Sequence, residues 1–112
     1  MNMMDEKDIN RLLLKYHQIL KASNRNHINP EIEELKLEDL QPMVELVAKS
    51  RAAYLKYSYN LGKQYSNKDG YPTADELKTL KTLRLRFTEL AEAAQAFETS
   101  IQRGYLDIVP SK

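Results

Sequence analysis

The 112-residue sequence contains no cysteine, and it has only three glycines and four prolines. The absence of cysteine excludes disulfide bonds, thiolate nucleophiles and cysteine metal ligands. Because glycine and proline are the main breakers of regular structure, their scarcity predicts long uninterrupted elements. It also leaves little material for a phosphate-binding loop, and none of the motifs G-x-x-x-x-G-K-S/T, G-x-G-x-x-G and G-x-S-x-G occurs.

Long apolar runs are also missing from the sequence. No stretch approaches the roughly 20 apolar residues that a membrane-spanning helix needs. The first ten residues, MNMMDEKDIN, carry three acidic side chains where a secretory signal carries basic ones. We therefore expect an intracellular, cytoplasmic protein that binds no membrane. The length leaves room for one core, so we expect residues 1–112 to form a single helical domain.

The charges are unevenly distributed, although the net charge is only +1. Between Lys49 and Thr88 there are nine basic and three acidic residues, an excess of six positive charges. The rest of the chain has eight basic and thirteen acidic residues, an excess of five negative charges. The middle of the sequence is therefore positive and both ends are negative.

The strongest pattern lies between residues 73 and 104, where apolar residues recur at alternating spacings of three and four. Its members are Leu80, Leu83, Phe87, Leu90, Ala94, Phe97 and Ile101. This repeat predicts one long helical seam, on a helix 3 from about 74 to 103. Thr73 and Glu76 form a capping box at its start, and Gly104 is suited to end it in a left-handed conformation.

Helix 1 is predicted from about 6 to 22, with Asp5 as its N-cap and a polar connector over 23–38. One face of this helix is apolar. The face consists of Ile9, Leu12, Leu13, Tyr16, Ile19 and Leu20.

Helix 2 is predicted from about 40 to 62, capped by Asp39. Its main seam consists of Met43, Val47, Tyr54, Tyr57 and Leu61. A turn over 66–72, SNKDGYP, joins it to helix 3, and an apolar tail over 105–109 follows helix 3.

These elements predict an all-α fold: a three-helix bundle built on a long antiparallel hairpin of helices 2 and 3, with helix 1 packed across it. Helix 1 is shorter than the other two, so part of the hairpin would stay uncovered in a monomer. A long apolar seam needs a cover, which another helix or a second copy of the chain can supply. We therefore expect a homodimer.

Catalytic patterns are weak in this sequence. Arg11 and His17 match the Arg-x5-His spacing of some all-helical ribonucleases, in which a histidine acts beside a cation that stabilises phosphate charge. Six residues along a helix, however, turn two side chains about 120° apart. No H-E-x-x-H motif occurs. We therefore expect a protein that is not an enzyme, has no catalytic residues and holds no metal or cofactor.

The feature with most functional content is the positive, tyrosine-rich middle of the chain. Its candidate binding residues, here called the basic set, are Lys49, Lys56, Tyr59, Lys63, Tyr65, Lys78, Lys81, Arg84, Leu85 and Arg86. Basic side chains with tyrosine and arginine anchors favour docking of an acidic protein partner. The sequence thus predicts a non-catalytic interaction module, such as an adaptor, inhibitor or regulatory subunit. Two alternatives stay open: binding of nucleic acid or a nucleotide-like anion, and a solvated surface matched to the chain's own acidic end.

Overall fold

The computed structural model describes residues 3–67 and 69–110, and these residues are mostly helical. The elements in chain order are α1 (Glu6–Ile28), a 3-10 turn (Asn29–Glu31), β1 (Leu35–Lys36), a second 3-10 turn (Leu37–Leu40), α2 (Gln41–Tyr65), α3 (Ala74–Gln102) and β2 (Ile108–Val109). The described residues group into two compact units. The first comprises those up to Leu37 together with those from Glu98 onward, and the second comprises Glu38–Phe97. The single domain, the three-helix bundle and the dimer stay predictions.

The start of α1 follows its sequence. Asp5 has an extended backbone, and its side chain accepts a hydrogen bond of 2.9 Å from the amide of Asp8, which confirms the predicted N-cap. The predicted end near residue 22 is wrong, because α1 continues to Ile28 through part of the expected connector. Serine and asparagine are weak helix formers, but nothing there breaks a helix before Pro30.

A tertiary contact accounts for the extra turns of α1. Arg25 donates hydrogen bonds of 2.9 and 2.6 Å to the two carboxylate oxygens of Asp107 and one of 3.0 Å to the carbonyl of Gly104. Since both partners follow α3, only the folded unit stabilises this part of the helix.

The apolar tail provides most of the core of the first unit. Leu106 is 2% exposed, and Tyr105 and Leu35 are also buried. The tail runs parallel to β1, with Leu35 opposite Ile108 in the pairing. A strand of two residues is too short to leave a periodic pattern, so neither strand was predicted from the sequence.

The second unit is an antiparallel helical hairpin. The hydroxyl of Tyr65, at the end of α2, donates a hydrogen bond to Glu76, near the start of α3. The rings of Tyr54 and Phe87 stack with their centroids 6.2 Å apart. Tyr54 is eleven residues before Tyr65 on α2, and Phe87 is eleven residues after Glu76 on α3. Both pairs fit one antiparallel register. Residue 68 of the predicted turn lies outside the described residues.

The two predicted seams face each other in this hairpin, but they are incompletely covered. All seven seam residues of α3 are half-buried, and none is fully buried. On α2, Val47, Ser50 and Leu61 are buried. Ser50 is the polar residue among them, and its hydroxyl donates a 2.8 Å hydrogen bond to the carbonyl of Val47. Two helices alone cannot enclose a seam, because each has one free side.

The caps of the hairpin differ in how well they were predicted. The capping box forms, since the amide of Glu76 donates to the Thr73 hydroxyl at 3.1 Å and the amide of Thr73 donates to the Glu76 carboxylate at 3.0 Å. The expectation that Asp39 caps α2 is wrong. Leu40 precedes α2 without a side-chain cap, and the 3-10 turn already holds Leu40 in a helical conformation. Pro42 lies in the first turn of α2, where proline is tolerated.

The end of α3 confirms the role predicted for Gly104, whose φ is +76°. The amide of Gly104 donates to the carbonyl of Ile101 at 3.1 Å, and the amide of Tyr105 donates to that of Ser100 at 2.8 Å. These two bonds define a Schellman motif, in which glycine is preferred because a side chain is strained at positive φ. The motif turns the chain back so that Tyr105 and Leu106 enter the core.

Candidate functional site

The basic set is solvent-exposed except for Tyr65, which is half-buried. Four of its members lie on the side of α2 that points away from the seam, given about 100° of rotation per residue. This stripe, here called the α2 outer face, consists of Lys49, Lys56, Tyr59 and Lys63.

The members on α3 belong to a different surface. Lys78, Lys81 and Leu85 lie on the side of α3 opposite its own seam, and Arg84 and Arg86 flank that seam on its two sides. Because the seams of the hairpin face each other, the outer sides of α2 and α3 point in opposite directions. The hairpin therefore does not bring the basic set into one surface.

The α2 outer face has a continuous positive character. The ammonium of Lys63 lies 5.3 Å from the ring centroid of Tyr59, within cation–π range, and Tyr59 itself is 66% exposed. Between residues 46 and 67 the sequence has no acidic residue. The positive charge of this face is therefore not offset by a carboxylate within the same stretch of helix.

Tyr65 has an intramolecular role. Its hydroxyl donates to the carboxylate of Glu76, which raises the pKa of Tyr65 and lowers the pKa of Glu76. The amide of Thr73 lowers the pKa of Glu76 further by donating to the same carboxylate. The Tyr65 hydroxyl thus joins the two helices and is not free to bind a partner.

Arg51 of α2 makes a contact with α3 that the sequence did not predict. Its guanidinium lies 5.1 Å from the ring centroid of Phe87, next to the Tyr54–Phe87 stack. A cation over an aromatic face is a favourable contact. The only signal in the sequence is that Arg51 borders the α2 seam, and its partner on α3 is known only once the register is known.

The apolar face of α1 is far more exposed than a helix in a packed bundle requires. Among the described residues none of α1 is buried. Five large side chains of the predicted face are each 45–65% exposed: Ile9, Leu12, Leu13, Tyr16 and Ile19. Leu14 is also exposed, but it lies on the other side of the helix. At on the order of 100 Å² each, five such side chains form an apolar patch comparable to the largest that a monomeric protein usually carries, and patches of this size often mark interaction sites.

Two open cavities lie in the first unit. The larger, of about 440 Å³, is lined by His17, Leu20, Lys21, Arg103 and Tyr105. The smaller, of about 290 Å³, is lined by Asn29, Pro30, Ile32, Glu33, Glu34, Asp107 and Val109. The hydrogen bonds from Arg25 lower the pKa of Asp107, so this carboxyl is held in its ionised form. Both cavities combine residues from the two ends of the sequence, which no local motif reveals.

Three other possibilities concern the Arg11–His17 pair, metal binding and membrane crossing. Arg11 and His17 are both exposed on α1, about 120° apart around the helix axis. Within residues 3–67 and 69–110 no group of three or more histidine, aspartate or glutamate side chains could hold a metal ion. In the same part of the chain no helix has the length and apolarity that crossing a membrane requires.

Comparison with known proteins gives no relative: no family model, no curated protein and no solved structure matches this chain. A functional conclusion therefore depends on the geometry alone.

Proposed function

We propose that this chain is a non-catalytic helical interaction module that binds an acidic surface of a partner protein through the α2 outer face. The observation that carries the proposal is the exposed lysine stripe with Tyr59 beside Lys63 and no carboxylate in the surrounding sequence. An exposed tyrosine among cations supplies contact area where lysines supply charge.

The spacing of the stripe favours a particular kind of partner. Lys49, Lys56 and Lys63 are each seven residues apart, or about 10.5 Å along a helix. An acidic helix with a carboxylate at every seventh residue has the same spacing, so it can meet all three lysines at once. The phosphate backbone of a nucleic acid would need a broader basic surface, and the net charge of this protein is only +1.

The test is binding of a synthetic helical peptide that carries glutamate at every seventh residue, measured by fluorescence anisotropy at roughly 150 mM salt. Reversal of Lys56 and Lys63 to glutamate should weaken binding by about tenfold or more, because close like charges then repel. The matched control reverses Lys78 and Lys81, which changes the net charge equally but on the outer side of α3. This control should change affinity by less than about twofold.

Two results would contradict the proposal. Equal losses in both double variants would mean that only the net charge of the chain matters. Tighter binding of a single-stranded oligonucleotide than of the acidic peptide, with a steep loss on adding salt, would instead favour the nucleic-acid alternative.

We also propose that the module is a homodimer in which the apolar face of α1 pairs antiparallel with the same face of a second copy. The distribution of charge along α1 supports a second copy of the same helix as the partner. Asp5, Glu6 and Asp8 outnumber Lys7 at its start, whereas residues 15–28 include basic side chains and no acidic one. An antiparallel pair brings the acidic end of each helix to the basic half of the other, which is self-complementary under twofold symmetry.

The exposed area also supports pairing. A half-exposed large side chain offers on the order of 100 Å², so two such faces together bury roughly 1,000 Å², the lower limit of a specific interface. The alternative is the bundle predicted from the sequence, in which α1 covers its own hairpin. In that arrangement the same side chains are buried within a monomer.

A further inference from the structure

The larger cavity of the first unit gathers positive charge from two elements. His17 and Lys21 are one turn apart on α1, so both project from the same side of that helix. Arg103 and Tyr105 reach the cavity from the chain just after α3. No carboxylate of a described residue lines the cavity.

The Schellman motif at the end of α3 fixes how these groups meet. A Cβ atom at Gly104 would lie 3.1 Å from Cε and 3.3 Å from Nζ of Lys21, so the lysine side chain lies directly over the glycine. Arg103 immediately precedes this glycine, and the following Tyr105 is buried. The motif thus holds a lysine ammonium next to the turn that carries the arginine.

Within a single chain the cations of this site are uncompensated. Among the described residues neither Lys21 nor Arg103 forms an ion pair, whereas the neighbouring Arg25 is paired with Asp107 at 2.6 Å. Two cations that converge on one cavity repel each other, and an anion between them would remove that repulsion. The imidazole of His17 adds a further nitrogen that can donate a hydrogen bond.

From this arrangement we infer that the cavity binds a small organic phosphate. Arginine offers a fork of N–H donors that matches phosphate oxygens, and lysine adds a point charge. A volume of about 440 Å³ is that of a small-molecule site and exceeds what a phosphate group alone fills. Leu20 and the buried Tyr105 provide an apolar wall for the organic part. None of these residues belongs to the α2 outer face.

The two histidines of the chain provide the test. Phenyl phosphate is titrated into the full chain at constant ionic strength, and the imidazole proton resonances are followed by NMR. The signal of His17 should move and saturate, whereas that of His27, which does not line the cavity, should stay in place. Phenyl phosphate should bind more tightly than inorganic phosphate, because only the former reaches the apolar wall.

Paired variants identify the residues responsible. Lys21→Met with Arg103→Met keeps the aliphatic stems and removes both charges, and it should weaken binding by about tenfold or more. Arg11→Met with Lys15→Met removes two charges on the other side of α1 and should leave binding within about twofold. Circular dichroism confirms that both variants keep the helical content of the wild type.

Three results would overturn the inference: equal movement of the two histidine signals, equal losses in the two double variants, or a His17 shift that grows linearly without saturation. Benzoate that binds as tightly as phenyl phosphate would overturn the assignment to phosphate, because the site would then recognise a single carboxylate.

Discussion

The exposed face of α1 allows a sharp test of self-association, because two adjacent leucines lie on opposite sides of the helix. Leu13 belongs to the apolar face and is 49% exposed, whereas Leu14 points away from that face and is 61% exposed. Leu13→Glu and Leu14→Glu are therefore the same chemical change at nearly equal exposure. Only the first removes a side chain from the proposed interface.

The magnitude follows from the area that the dimer would cover. Burying a whole leucine side chain contributes about 1.5–3 kcal/mol, so covering the exposed half of Leu13 contributes about 1 kcal/mol per copy. Both copies lose this contribution, and a loss of about 2 kcal/mol weakens the dimer roughly 30-fold. Glutamate would add the cost of desolvating a carboxylate, so 30-fold is the minimum expected.

Sedimentation equilibrium measures the outcome. At tens of micromolar the wild type and Leu14→Glu should have about twice the chain mass of 13.0 kDa, and Leu13→Glu should have the mass of one chain. Circular dichroism should show equal helix content, since Leu13 is not part of the buried core of either unit. A monomeric wild type, or dimers in both variants, would refute the pairing. A monomeric wild type that Leu13→Glu also unfolds would favour α1 packing on its own hairpin.

Two further predictions concern stability. Gly104→Ala should destabilise the protein by roughly 1–2 kcal/mol in urea unfolding, because alanine is strained at a φ of +76° and its Cβ would lie 3.1 Å from Lys21. The control is Gly62→Ala, which should stabilise α2 by roughly 0.5–1 kcal/mol because no atom lies within 4 Å of the added Cβ. Destabilisation by both substitutions would contradict the role assigned to Gly104. Tyr65→Phe removes the hydrogen bond that lowers the pKa of Glu76. A lowered carboxyl pKa stabilises the fold above the unfolded-state pKa, and this stability is lost as the pH falls through the folded-state value. The melting temperature of Tyr65→Phe should therefore lie below that of the wild type at about pH 7, and the difference should shrink as the pH falls below the ordinary range of a glutamate carboxyl; a difference that stays constant on acidification would exclude the role of Glu76.

The helices of the hairpin could be predicted because their signals are local. The seam of α3 is a heptad pattern, the capping box needs only the spacing of Thr73 and Glu76, and Gly104 is a glycine at a helix end. Each signal involves residues that are neighbours along one helix. The same reasoning failed at Asp39, because the 3-10 turn before α2 makes the chain helical before the cap.

The candidate site could be predicted only as a set of exposed residues. The sequence identifies the lysines and tyrosines of the positive middle, but it does not show that α2 and α3 carry them on opposite sides. That division follows from the contacts of Tyr54 with Phe87 and of Tyr65 with Glu76, which orient both helices. It reduces a basic set of ten residues to one stripe of four.

Local sequence alone thus determined that the chain is helical, where the turn between α2 and α3 falls and which side of each helix is apolar, since periodicity and capping act over a few residues. Contacts between distant residues decided the rest. The pairing of Arg25 with Asp107 lengthens α1, the tail completes the core beside Leu35, and Lys21 meets Gly104 across more than eighty positions of sequence. Such contacts form only when the whole unit is folded, so a short window of sequence carries no signal for them.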